Sequence, residues 1–275
     1  MDPTRTVRRG ITVESAERNR HPMNKKPSPI KGRGAASNPP IRFSSIERIL
    51  DSMDAAPSCP KTIFYSDVSR SIVTYNTSPD VGFDAGINCY RGCEHGCAYC
   101  YARPTHEYLG LSAGLDFETK IFVKRDAPAL LRKALSHPKW KPTVLTMSSV
   151  TDPYQPIEKR LRLTRRCLEV LLAFRNPVAI ITKNSGVMRD VDLLSELARH
   201  DLVAVYLSIP TLNKDLQRVL EPRTAPPDKR LAAISALSKA GIPTGVMVAP
   251  VIPGLTDHEI PAILQAVATS GGAFA

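Results

Sequence analysis

From about residue 82 to residue 269 the sequence alternates short apolar, β-branched runs with longer amphipathic ones, and this alternation constrains the fold more than any other feature. Strands are expected at 82–87, 143–148, 177–182, 201–208 and 244–251. Helices are expected at 101–109, 127–136, 161–174, 191–200, 228–240 and 257–269. Gly241 stands where a left-handed C-cap would end the helix before it. Apolar strands separated by helices build a parallel sheet with the helices packed outside. In parallel βα folds functional groups collect at the C-terminal ends of the strands. Those ends carry a cysteine-rich loop, Ser148-Ser149-Val150-Thr151-Asp152, Thr182-Lys183-Asn184, Ser208 and Val248-Ala249-Pro250.

The loop after the first of these strands holds four of the chain's six cysteines within twelve residues. Cys93, Cys97 and Cys100 stand at spacing C-x3-C-x2-C, with the aromatic Tyr99 directly before the last. Clustered thiolates point to a metal. A structural zinc site takes four ligands, commonly as two C-x2-C pairs, and no second pair follows downstream. An electron-transfer [4Fe-4S] cluster also takes four cysteines. Three thiolates instead leave one iron of a cubane open to a small molecule. Cys89 makes a second triad, Cys89-Cys93-Cys97, and a four-thiolate zinc site using all four is the rival reading.

With 275 residues the chain can bury a full core, and one main domain with extensions is expected. Residues 1–42 read as a basic tail rich in Pro and Gly, disordered or draped over the domain, 43–80 as a leader and 81–275 as the core. The leader offers a short amphipathic helix at 43–53 and strands at 61–65 and 71–76. No run of about eighteen apolar residues exists, so no membrane span is expected. Arg8-Arg9 is followed by charged residues, not by the apolar segment of an export signal. Clustered thiols without a signal peptide suit a reducing compartment, the cytoplasm by default. Ten of the Lys and Arg residues lie in 1–42 against three acidic ones, which carries seven of the eleven net positive charges. Such an arm can contact nucleic-acid phosphates or serve as a solvated tail. Met23 is an alternative start.

The cysteine segment resembles the signature of the radical S-adenosylmethionine (SAM) enzymes. Over about 81–270 the chain is similar to their spore photoproduct lyase-like branch of DNA repair photolyase-related proteins. The similarity is carried by 88–103, Ile180-Ile181-Thr182-Lys183, Tyr206-Leu207-Ser208-Ile209, Glu221-Pro222-Arg223-Thr224, Arg230-Leu231-Ala232-Ala233 and Val248-Ala249-Pro250. The resemblance implies a partial (β/α)6 TIM-like barrel, incomplete at its C-terminal end because 271–275 fall where a sixth strand would begin. It also implies a [4Fe-4S] cluster on Cys93, Cys97 and Cys100, with SAM on the open iron. Reductive cleavage of SAM then yields a 5′-deoxyadenosyl radical that abstracts hydrogen from a substrate, with nucleic acid the candidate, and a flavodoxin or ferredoxin supplies the electron. Lys183 and Ser208 would meet the polar end or ribose of SAM, Ser148 and Ser149 its amino group, and the backbone of Val248 and Ala249 its adenine. Tyr99 would lie beside the cofactor.

The branch usually has proline at position 89, which sets Cys89 aside as a ligand. Spore photoproduct lyase donates hydrogen from a cysteine on the segment resembling 148–152, and Ser149 and Val150 stand there. Neither bond gives up a hydrogen atom readily, so thymine-dimer reversal is not expected of this chain. Tyr99, Tyr101 and Tyr154 are the alternative donors, and Asp152 and Tyr154 lie on a polar loop (151–158) that is a candidate for substrate contact. Arg103, His95 and His106 flank the cysteines and could tune a cluster. Cys59 and Cys167 have no evident partner, and Cys167 falls on a core-facing helix position. Besides the zinc-stabilised nucleic-acid-binding protein, a radical SAM scaffold without activity is the third reading.

Overall fold

A computed structural model describes residues 29–43, 60–77 and 82–275. Beyond Phe43, the helix expected at 43–53 lies outside these residues, as does Cys59.

The chain runs through β1 (Ile63–Ser66), β2 (Val73–Tyr75), β3 (Ala85–Ile87) and β4 (Tyr90–Arg91), then α1 (Leu115–Thr119), β5 (Lys120–Val123), α2 (Ala127–Leu135) and β6 (Leu145–Met147). There follow α3 (Glu158–Leu161), α4 (Leu163–Phe174), β7 (Val178–Thr182), α5 (Val191–Ala198), β8 (Val203–Ser208), α6 (Lys214–Leu220), α7 (Pro227–Lys239), β9 (Thr244–Met247) and α8 (Ile260–Thr269). All five expected core strands form, and β3, β6, β7, β8 and β9 pair in parallel in that order. β2 adds an antiparallel edge to β3. The sheet is open. At its other edge Ala273 N donates to Thr244 O and Val246 N to Phe274 O, so 273–274 lie alongside β9.

Alternate residues of β7 and β8 are fully buried, with Ile180, Val205 and Leu207 inside. α4 covers the sheet with Cys167, Leu168 and Leu171. Gly241 follows α7 with φ +75°, the left-handed conformation that glycine adopts without Cβ strain. The stretch expected as a helix at 101–109 is instead a 3-10 segment, Arg103–Leu109, with proline near its start. A second sheet of β1, β5 and β4 stands beside the first. No helix among the described residues is long and apolar enough to cross a membrane.

Candidate active site

β3 delivers the cysteine loop to the C-terminal edge of the parallel sheet. A cleft of about 430 Å³ opens there, and Cys93, Cys97 and Cys100 all line it. All three are free thiols, and Cys93 N donates to Phe117 O at 3.0 Å. Burial raises their pKa values. Cys97 is pushed up to about 12 by burial, against the pull of the Lys183 ammonium. Burial, with the nearby Asp152 charge, also raises Cys93. A bound metal reverses that cost, because ligation deprotonates a thiol outright.

Cys89 is elsewhere. It lies in the hydrophobic core with its sulfur 3.7 Å from that of Cys167, so two of the three cysteines left over by the triad pack against one another. Among the described residues no three His, Cys, Asp or Glu side chains converge on a point that would hold one metal ion.

The remaining expected residues divide by position. Tyr99, Ser148, Ser149, Asp152, Lys183, Ser208 and Ala249 line the cleft with the three cysteines, whereas Val248 packs against the core. Lys183 Nζ donates to Ser208 Oγ at 2.6 Å and to Ala249 O at 3.2 Å, and Ser208 Oγ donates to the same carbonyl at 3.0 Å. Lys183 also pairs with Glu221 Oε1 at 3.0 Å and lies 5.4 Å from the centre of the Tyr99 ring. The Tyr99 hydroxyl donates to Glu221. Ser148, directly after β6, has φ +103°, a conformation side-chain-bearing residues rarely adopt. Ser149 Oγ accepts from Asn88 Nδ2 at 2.6 Å, and the exposed Tyr101 hydroxyl donates to Ser149 O.

Glu221 and Arg230, both fully buried, anchor this network and had no assigned role in the sequence. Burial alone would raise the Glu221 pKa, but Lys183 and Arg230 overcome it and hold the carboxyl at about 2. Arg230 pairs with Glu221 and donates to Ser208 O at 2.6 Å, which fixes the end of β8. The only signal available was their place inside the family-like segments.

The loop expected to contact substrate is largely scaffold. Asp152 is buried and accepts from Tyr154 N, Thr182 Oγ and Lys183 N at 2.7–2.8 Å, with His95 Nδ1 at 3.4 Å. Burial opposes its ionisation, yet His95 and these donors lower its pKa. Thr151 Oγ donates to Gly92 O, and Gln155 Oε1 accepts from Glu94 N, so the loop grips the cysteine segment. Tyr154 is buried in the core, away from the cleft, under the Arg189 guanidinium. His106 is also buried, its Nε2 2.9 Å from Lys120 O, and burial lowers its pKa.

The other side of the cysteine loop is held by residues assigned to the tail. Gly34 N and Ala35 N donate to the two oxygens of the buried Glu118, which also pairs with Arg103 at 2.6 Å. Arg103 in turn donates to Cys97 O at 2.8 Å. Asn38 exchanges hydrogen bonds with Asp116, and Arg42 pairs with Glu107. The part of the tail described from residue 29 is therefore a strap across the back of the loop.

This arrangement coincides with what comparison finds. The radical SAM superfamily model matches residues 87–267. An uncharacterized protein of Mycobacterium tuberculosis is 41% identical over 187 residues, covering 67% of this chain and 55% of that protein. The chain thus spans about half the length of that relative. The radical SAM Nalpha-GlyT isomerase of Pseudomonas phage M6 is 28% identical over 168 residues, 61% of this chain and 33% of the isomerase. Among solved structures, spore photoproduct lyase complexed with dinucleoside spore photoproduct matches with a TM-score of 0.58 at 21% identity, covering 75% of this chain and 57% of that one. The chain belongs to the radical SAM superfamily.

Proposed function

We propose that the protein is a radical SAM enzyme whose open parallel sheet is a partial (β/α)6 barrel and whose cleft holds a [4Fe-4S] cluster on Cys93, Cys97 and Cys100. The observation that carries this reading is that the three thiols share one cleft with Lys183 and Ser208. The donor set suits a cubane, in which each thiolate takes a different iron and no convergence on a single point is required. Cys89 packs against Cys167 and does not line the cleft, so a four-thiolate zinc site has nothing to favour it.

When bound, the cluster and SAM together supply a 5′-deoxyadenosyl radical. The chain's own residues do the placing. Lys183 presents an ammonium to a carboxylate, and its bonds to Ala249 O and Glu221 fix where that charge stands. Ser208 offers a hydroxyl for ribose, and the end of β6 at Ser148 and Ser149 offers polar atoms for the amino group. Ala249 lines the adenine side through its backbone.

A nucleic-acid component is the proposed substrate. It draws support from the dinucleoside spore photoproduct bound by a protein of similar fold and from the basic character of the chain. Ser149 and Val150 line the cleft without a thiol, so the reaction is assigned as hydrogen abstraction with another fate for the product radical. A ferredoxin or flavodoxin is the proposed reductant.

Anaerobic reconstitution with iron and sulfide tests this reading. A brown protein that releases 5′-deoxyadenosine on reduction with SAM is expected. A colourless, zinc-loaded protein that releases none would refute it.

A further inference from the structure

A second groove, of about 360 Å³, lies between edge strand β2 and the C-terminal end of α2 and shares no lining residue with the cleft. Tyr75 on β2 pairs with Ala85 at the start of β3, so the groove reaches the end of the sheet away from the cysteine loop.

Its lining combines cations and rings. Arg70, Lys133 and Lys139 line it together with Tyr75, His137 and Trp140, and no carboxylate is among the lining residues. Among the described residues the side chains of Arg70, Lys133 and Lys139 have no ion pair or hydrogen bond. Tyr75 is 74% exposed. Trp140 is set firmly, because its Nε1 donates to Asn176 Oδ1 at 3.0 Å while Asn176 donates to the Thr143 and Pro177 carbonyls.

Uncommitted cations beside aromatic faces are the chemistry that holds single-stranded nucleic acid. The cations neutralise phosphates, and bases stack on the rings at about 1–3 kcal/mol each whatever their sequence. An acidic peptide would use the cations and leave the two rings without a role. We infer that this groove is an accessory binding site for single-stranded nucleic acid, with Arg70, Lys133 and Lys139 on the phosphates and Tyr75 and Trp140 under the bases. The site is independent of the chemistry proposed for the cleft and would hold a polymer at a distance from it.

Trp140 is the only tryptophan of the chain, so its fluorescence reports this groove and not the basic tail. The full chain is titrated with a thymidine oligonucleotide while Trp140 emission and the anisotropy of a labelled oligonucleotide are followed together. Saturable quenching that tracks the anisotropy is expected. The double variant Arg70→Glu/Lys133→Glu, both surface residues, should raise the Kd at least tenfold and flatten the slope of log Kd against log salt by about one unit or more, with an unchanged melting temperature. Oligonucleotide binding without a change in Trp140 emission would assign the binding elsewhere and overturn the inference. So would equal quenching by heparin or polyglutamate, which would show a surface that takes any polyanion.

Discussion

Lys183 Nζ lies 3.0 Å from Glu221 Oε1, and the same carboxylate is bonded by Arg230 and the Tyr99 hydroxyl. One buried anion therefore fixes a lysine at the end of β7, an aromatic ring beside Cys100 and, through Arg230, the end of β8. Removing one partner of a buried charge network leaves the others uncompensated, at a cost on the order of 3 kcal/mol. Glu221→Gln should lose about that much in denaturant unfolding. The pH dependence has a definite sign. The folded-state pKa of about 2 lies below the ordinary 4.5, so the stabilisation is complete above pH 4.5 and is lost as pH falls towards 2. The stability gap between the native chain and Glu221→Gln should narrow across that window and stay constant above it.

The two sets of cysteines should respond oppositely to alanine. Cys93, Cys97 and Cys100 line the cleft, and replacing any one should abolish iron retention after anaerobic reconstitution. Cys89→Ala and Cys167→Ala remove sulfur from a packed core contact. Each should keep full iron and lose about 1 kcal/mol of stability, as for other small core truncations. Loss of iron from Cys89→Ala would show that the triad is wrongly drawn.

Ser148 supplies a test that separates strain from binding. Its φ of +103° carries a cost of about 1–3 kcal/mol for a residue with a Cβ. Ser148→Gly should raise the unfolding midpoint by relieving it. If the hydroxyl meets the amino group of SAM, the same variant should bind SAM more weakly by calorimetry. Tighter or equal binding would remove Ser148 from the cofactor site.

The parallel sheet was legible because strands with one face buried and the other half-buried under helices read as apolar runs, as in Val178–Thr182 and Val203–Ser208. The strand-end rule then singled out Lys183 and Ser208, which do meet. β4, β5 and α1 were not legible. β4 has two residues, and Lys120–Val123 opens on a lysine and is too short to show a period. Asp152 and Tyr154 read alike because polar groups near a strand end are ambiguous until their partners are known, and here Asp152 lines the cleft while bonded to backbone amides, whereas Tyr154 lies in the core. For the strap, the sequence left a disordered tail and a draped one both open, for a different reason. Its grip on the loop runs through the amides of Gly34 and Ala35, which every sequence contains and no side-chain pattern reveals.

That strap makes the last prediction sharp. A Cβ on Gly34 would lie 1.7 Å from Gly96 O, a backbone atom in the middle of the cysteine loop that cannot move aside alone. Gly34→Ala must therefore push the strap off Glu118 or displace the loop, at a cost of about 1–3 kcal/mol typical of overpacking. Displacement of the loop also disturbs Arg103, whose guanidinium joins Glu118 to Cys97 O. Gly34→Ala should unfold at lower denaturant and retain less iron than the native chain, although it lies far from the cysteines in sequence. Glu118→Gln should weaken iron retention in the same direction. Full iron retention in Gly34→Ala and Glu118→Gln would show that the strap only covers the loop and does not position it.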